Sequence, residues 1–131
     1  MTSTFSRGFV DTTRVAAADY STTGQFLVVA ISGTDGVSVT RTTTDGQRGY
    51  GILENSPTAS QVAEVCSLGP CKARAGAAVT AGQLLKSQVT TSRVIPIAAN
   101  ADYALAMALE DGVDGDVIEI MIVHAGINSF S

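Results

Sequence analysis

Apolar residues along this chain fall into short runs separated by turn residues, and none of the runs is long enough to require a helix. Residues 25–32 (QFLVVAIS) are almost all apolar, which indicates a strand buried on both faces. Residues 37–43 alternate small apolar and polar side chains, which predicts a half-exposed strand. Asp35-Gly36 lies between the two runs and favours a tight hairpin turn.

Further strands are predicted at residues 50–53, 61–68, 71–75, 93–97, 103–109 and 116–124. Gly69-Pro70 is expected to end one strand and separate it from the next. Pro96 indicates an edge strand or a last pairing position, because proline cannot donate a ladder hydrogen bond. Residues 103–109 (YALAMAL) contain helix-favouring types, yet large and small side chains alternate strictly. We therefore predict a strand there whose small side packs closely.

Residues 1–20 differ from the rest, because isolated apolar side chains stand among Ser, Thr and Arg without a sustained period. We divide the chain into an N-terminal arm, residues 1–20, and a β domain, residues 21–131. Two interpretations of the arm stay open, a partly ordered terminus or a segment that folds on a partner. In the second case the candidate partner-binding residues are Phe5, Arg7, Phe9, Val10 and Arg14.

Composition narrows the possible functions. Charged residues make up 15% of the 131 residues, and Thr, Ser and Ala are abundant. Such a surface is typical of a protein that buries part of its exterior against copies of itself or a larger surface. The net charge of −4 argues against nucleic-acid binding, since nothing could neutralise a row of phosphates. No apolar run approaches a membrane span, and the N-terminus lacks a signal-peptide pattern, so folding in a cytoplasm is expected.

The sequence contains no familiar catalytic or cofactor-binding motif. His124 is the single histidine of the sequence, so a structural role is favoured over a catalytic one. Cys66 and Cys71 are too few for a zinc site within one chain, and two buried thiols are favoured over a disulfide formed after release. The acidic stretch at residues 110–116 lacks the spacing of a calcium loop and indicates a solvated turn. We expect no enzyme activity, no metal and no cofactor.

Several phrases occur in an order that resembles the small head-decoration (capsid cement) proteins of tailed bacteriophages. They are GILENSP at residues 51–57, AEV at 63–65 with Gly69, KARAG at 72–76, VTAG at 79–82 with Leu84-Leu85, AMALE at 106–110 and GDVIEI at 115–120. The similarity extends over residues 24–123. Each phrase is low in complexity, and their order is the specific feature. Two departures are the Cys66/Cys71 pair and the lack of glycine at residues 104–107.

The resemblance implies a structural protein on the outer surface of a phage capsid, assembled in the host cytoplasm. It implies homotrimers that bind the major capsid protein at three-fold and quasi-three-fold positions. With the strand pattern, it predicts an all-β, small single-domain β-barrel or sandwich (β-tulip-like) with an extended N-terminal arm, and no nucleic-acid or membrane partner. The alternative is a lipoyl- or biotinyl-like carrier module or another β-rich surface-binding module, since AGAAVTAGQLL at residues 75–85 also resembles a turn of carrier domains. Neither Lys72 nor Lys86 has the hairpin-tip setting of a modified lysine.

Overall fold

Residues 8–32, 35–98 and 102–127 are described by the computed structural model, and in these ranges the chain is all-β, which confirms the predicted class. Nine strands follow one another: β1 (Phe9–Ala16), β2 (Val28–Ile31), β3 (Ser38–Arg41), β4 (Gly51–Leu53), β5 (Val62–Arg74), β6 (Leu84–Ser87), β7 (Val94–Pro96), β8 (Tyr103–Ala108) and β9 (Val117–Ile127). Among these described residues, no helix is long and apolar enough to cross a membrane.

The strands form one hydrogen-bonded sheet in the order β1-β3-β2-β4-β5-β9-β8-β6-β7. All pairings are antiparallel except that of β1 with β3. A further pairing of β1 with β5 folds the first five strands back on themselves. We call β1 to β4 with the first half of β5 the first leaf, and the second half of β5 with β6 to β9 the second leaf. The nine-stranded sheet is sandwich-like and is not a closed barrel.

Two apolar cores result from the alternation of side chains along the shared strands. In β2, Val28 packs into the larger core with the second leaf, whereas Val29 packs into the smaller core of the first leaf. In β4, Ile52 and Leu53 divide in the same way. The central residues of the run at 25–32 are therefore apolar because they serve two cores, as predicted for a strand buried on both faces, although β2 itself spans only Val28–Ile31.

β5 corrects the prediction of two strands separated at Gly69-Pro70. It is one strand of 13 residues, and its partner changes along its length. Cys66 pairs with Ile52 of β4, whereas Gly69 pairs with Ile122 of β9. Gly69 has a φ of 88°, a left-handed conformation that glycine adopts without steric cost. The Gly-Pro pair bends the strand from one leaf into the other and does not reverse it.

β1 also differs from the sequence prediction, which places residues 1–20 in an arm outside the β domain. Phe9–Ala16 lies in the first leaf, antiparallel to β5 and parallel to β3. Ala16 and the following Tyr20 belong to the smaller core. The segment has no hydrophobic period of its own because its partners come from distant parts of the chain and its register to β5 is irregular. Of the arm, residues 1–7 lie outside the described residues.

The remaining strands agree with the sequence except for β6, which the predicted strands do not include. β7 is the last strand of the sheet, and Pro96 is its final pairing residue, as predicted. β8 confirms the strand prediction for residues 103–109, with its three alanines buried against neighbours. β6 (Leu84–Ser87) was not predicted because it follows a Gly- and Ala-rich passage without a clear strand pattern. It pairs with both β7 and β8.

Candidate functional site

The outer face of the ladder between β1 and β5 carries exposed apolar side chains. Phe9 is 64% exposed, and its register partner Leu68 is 55% exposed. Farther along the same ladder, Val62 is 52% exposed opposite Val15. We call Phe9, Val15, Val62 and Leu68 the ladder face. Its two ends, Phe9 with Leu68 and Val62 with the half-buried Val15, present apolar groups that are available for contact with another macromolecule.

The predicted partner-binding residues occupy different environments. Phe5 and Arg7 lie outside the described residues. Phe9 is on the ladder face, and Val10 is half-buried opposite Cys66. Arg14 is held within its own fold, because Nε lies 3.1 Å from Asp11 Oδ2 and Nη1 donates to the carbonyl of Gly36. The structure therefore brings Phe9 to an exposed position and uses Arg14 to brace β1.

Asp11 organises the inner side of β1. Its carboxylate accepts hydrogen bonds from the Thr13 hydroxyl, the Tyr50 hydroxyl and Arg14. The Thr13 hydroxyl contributes most, followed by Tyr50, and together these donors hold the pKa of Asp11 well below its ordinary value despite burial. Burial, followed by the hydrogen bond to Asp11, raises the pKa of Tyr50. A charged carboxylate thus joins β1 to the residue that precedes β4.

His124 stands near one end of the ladder face and has two polar contacts. Its Nδ1 lies 2.7 Å from the Tyr103 hydroxyl, and its Nε2 lies 2.9 Å from the carbonyl of Ser67. A carbonyl can only accept, so Nε2 carries a proton, and in the neutral ring Nδ1 accepts from Tyr103. This geometry gives His124 the structural role that the sequence favours.

Cys66 and Cys71 are both buried thiols and flank the bend of β5. A hydrogen bond with Cys66 and burial both raise the pKa of Cys71. A thiol whose pKa is raised is a poor nucleophile, since the thiolate is the reactive form. The pair therefore acts as small apolar residues of the larger core, in agreement with the favoured interpretation.

The lysines offer no site of the carrier type. Lys86 lies in β6 with only 5% of its side chain exposed, 2.8 Å from Asp45 Oδ2 and 3.0 Å from Asp102 Oδ2. Lys72 is exposed near the end of β5, opposite Glu119 of β9. A carrier domain presents its lysine at the tip of a hairpin, and neither of the two lysines in the sequence has that position.

In the acidic stretch at residues 110–116, three carboxylates accept hydrogen bonds from the backbone of the protein. Glu110 accepts a hydrogen bond from the backbone of Glu119, and Asp111 accepts one from Ala81. Asp116 accepts one from Val113. Within the described ranges, no three His, Cys, Asp or Glu side chains are grouped so as to hold a metal ion. These carboxylates stabilise the turn before β9, in agreement with the solvated turn predicted from the sequence.

The structure contains an open cavity of about 700 Å³ that the sequence did not predict. It lies beside β2, between residues 21–27, which precede that strand, and the connection from β6 to β7. Three arginines, Arg41, Arg74 and Arg93, line it together with Ser, Thr and Gln side chains. Phe26 and Thr90, also in its wall, both have a φ of 68°. A bulky residue in the left-handed region is uncommon and is found preferentially at functional sites. The sequence does not indicate that the three arginines lie close together, since they are far apart along the chain.

No protein-family profile matches the chain, and comparison with curated proteins found no similar sequence. Among solved structures, the chain is similar to the crystal structure of the head fiber gp8.5 N base of bacteriophage phi29. The TM-score is 0.66, the sequence identity is 14%, and the match covers 92% of this chain and 97% of that one. The two proteins share a fold over almost their whole lengths.

Proposed function

We propose that this chain is a structural, non-catalytic protein of a bacteriophage head, which attaches to the outer surface of the capsid. The observation that carries the proposal is the shared fold with a phage head fiber base, which spans nearly the full length of both chains. The independent resemblance of its sequence phrases to head-decoration proteins supports the same role. Fold alone does not determine function, so surface features must supply the attachment.

The ladder face supplies such a surface. It lies along β1 and β5, whose backbone groups are already hydrogen-bonded to each other. A partner would therefore bind through contacts with these side chains, and not by pairing a strand of its own with the backbone of β1 or β5. Burying Phe9 and Leu68 against an apolar surface would contribute about 2 to 3 kcal/mol each. We propose the major capsid protein as that partner, with residues 1–7 extending the contact through Phe5 and Arg7.

Self-association into trimers is the second part of the proposal. Low charge content and the resemblance to decoration proteins both favour it. Multi-angle light scattering at micromolar concentration is expected to give the mass of three chains of 13.4 kDa each. A single-chain mass at that concentration would contradict the trimer, while attachment to heads would still be tested separately. In this role the protein would stabilise the shell in the virion.

Attachment is tested by co-sedimentation with heads of the encoding phage that were assembled without this chain. The wild-type protein should saturate a fixed number of sites on these heads. The double variant Phe9→Ser/Leu68→Ser should bind at least tenfold more weakly, because it removes the apolar contact while leaving the ladder hydrogen bonds intact.

A matched control is Val113→Ser, which removes an apolar side chain that is 60% exposed in the turn before β9. It should bind heads like the wild type. Thermal unfolding of all three proteins should give similar midpoints, because exposed side chains contribute little to stability. Equal binding by the double variant would rule out the ladder face, and failure of the wild type to bind would rule out the attachment itself.

A further inference from the structure

The cavity beside β2 concentrates positive charge in an acidic protein. Arg41, Arg74 and Arg93 are three of only eight basic residues in a chain of net charge −4. Among the described residues, none of those that line the cavity is Asp or Glu. A concave surface of one sign attracts and concentrates ligands of the opposite sign. The site therefore suits an anion.

The wall of the cavity is held in place before any ligand arrives. Arg41 donates from Nε to Ser92 Oγ at 3.2 Å and from Nη2 to the carbonyls of Thr90 and Thr91, each at 3.0 Å. Ser92 in turn donates to the carbonyl of Thr42 at 2.6 Å. The loop between β6 and β7, in which Thr90 and Ser92 both have left-handed backbone conformations, is therefore fixed against β3. Binding would therefore require little ordering of the protein.

The three guanidinium groups keep donors for a ligand. Arg74 donates from Nη1 to the carbonyl of Gly115 at 2.7 Å, and Arg93 Nη1 lies 2.9 Å from Asp114 Oδ1. These bonds use only part of the five N–H groups that each guanidinium carries. Guanidinium groups bind planar carboxylates through paired hydrogen bonds. A carboxylate, with two oxygens in one plane, can use the N–H groups that remain.

The other side chains that line the cavity indicate which kind of molecule would carry the carboxylate. Hydroxyl and amide side chains from residues 21–25 and Ser56 line the cavity beside Phe26. Such groups can pair with the hydroxyls of a sugar, and a volume of about 700 Å³ accommodates a compact ligand. An extended peptide is disfavoured, because Phe26 N–H and its carbonyl are already bonded to Leu53 and Arg74.

The geometry points to a binding site for an acidic sugar of the uronic acid type, with its carboxylate at the three arginines and its hydroxyls on the Ser- and Thr-rich wall. This site is separate from the ladder face and does not depend on attachment to heads. The sugar is either a free monosaccharide acid or the end of a glycan.

The test is calorimetric titration of the full chain with glucuronate, with glucose and acetate as comparison ligands. Glucuronate should bind saturably with a dissociation constant on the order of 1 mM, and both comparison ligands should bind at least tenfold more weakly. A glucuronate-terminated oligosaccharide that binds tenfold more tightly than the monosaccharide would identify a glycan end, and equal affinity would identify the free acid. Equal affinities for glucuronate and acetate, or no binding of glucuronate, would overturn the proposal.

Two variants change the site in opposite directions. Arg93→Gln should weaken glucuronate binding about tenfold, whereas Asp114→Asn should strengthen it several-fold, because it frees Arg93 from its carboxylate partner. Arg48→Gln is the matched control: Arg48 lies over the ring of Tyr103, outside the cavity, and its loss should leave the affinity unchanged. Equal weakening by Arg93→Gln and Arg48→Gln would reveal a non-specific charge effect and overturn the site.

Discussion

The Lys86 ammonium lies 3.0 Å from the Asp102 carboxylate, and both side chains are more than nine-tenths buried. A second carboxylate, that of Asp45, lies 2.8 Å away with 44% of its side chain exposed. Asp102 also accepts a hydrogen bond from the backbone of Ala98, and Asp45 accepts one from Val89. A buried charge thus joins β6 to the segments before β8 and after β3.

We expect Lys86→Met to destabilise the protein by about 3 kcal/mol, because it leaves the buried Asp102 carboxylate without its counter-charge. Asp45→Asn should cost about 1 kcal/mol or less, since water can reach that carboxylate. Urea unfolding followed by circular dichroism measures both. Equal losses for the two variants would show that burial does not govern the energetics of this network.

The same network predicts a loss of stability in alkali. Burial opposes the charge on Lys86, but the hydrogen bonds that Lys86 donates to Asp45 and Asp102 outweigh it and raise the pKa of Lys86 above its ordinary value. The stabilisation is complete below the unfolded pKa of about 10.4 and is lost as the pH rises through the higher folded pKa. Unfolding measured between neutral pH and strong alkali should show this decline in the wild type and a smaller one in Lys86→Met.

Asp11 predicts the opposite dependence, in acid. Because hydrogen bonds from Thr13 and Tyr50 lower its folded pKa, Asp11 contributes stability above its unfolded pKa of about 3.9. That contribution is lost as the pH falls through the lowered folded pKa. Asp11→Asn should be less stable at neutral pH and lose less stability in acid than the wild type. Parallel acid-unfolding curves for the two proteins would contradict the assignment.

Gly51 of β4 should tolerate no side chain. A Cβ at this position would lie 2.2 Å from the carbonyl oxygen of Cys66 in the neighbouring strand. That contact is with backbone, so Gly51→Ala must displace β4 from β5, and we expect a loss of about 3 kcal/mol or more. Gly82→Ala is the control, since its Cβ would meet nothing within 4 Å and only the φ of 92° opposes it, at about 1 to 2 kcal/mol. Similar unfolding midpoints for the two variants would refute the close approach.

Truncation separates the two parts of the predicted arm. Removing residues 2–20 deletes β1 and takes Ala16 and Tyr20 from the smaller core, so the remaining chain should fail to fold. Removing only residues 2–7 leaves all nine described strands in place, and the chain should fold normally. If head attachment uses Phe5 and Arg7, this shorter truncation should bind heads about tenfold more weakly. A folded product from the longer truncation, judged by circular dichroism, would contradict the role of β1.

The fold class was predictable because local patterns report burial directly. Val28 and Val29 are apolar because both faces of their strand are buried, and the alanines of β8 are small because neighbours lie close. The pattern could not distinguish a bend from a reversal at Gly69-Pro70, since that choice depends on β9, about 50 residues later. β1 was not predicted because its pairing partners, β3 and β5, are also remote in the sequence. The arginine-lined cavity is a product of such long-range pairings, and only Phe9 among the predicted contact residues stands exposed in the described part of the chain.

The continuity of β5 has a mechanical consequence. A force applied to β1 from outside passes sideways into β5 through their shared hydrogen bonds. From there it travels along an unbroken backbone into the ladder with β9, without crossing a loop. Hydrogen bonds loaded along the strand direction share the force and must break together, whereas bonds opened from one end break one at a time. A protein built in this way resists a pull that is applied along β1.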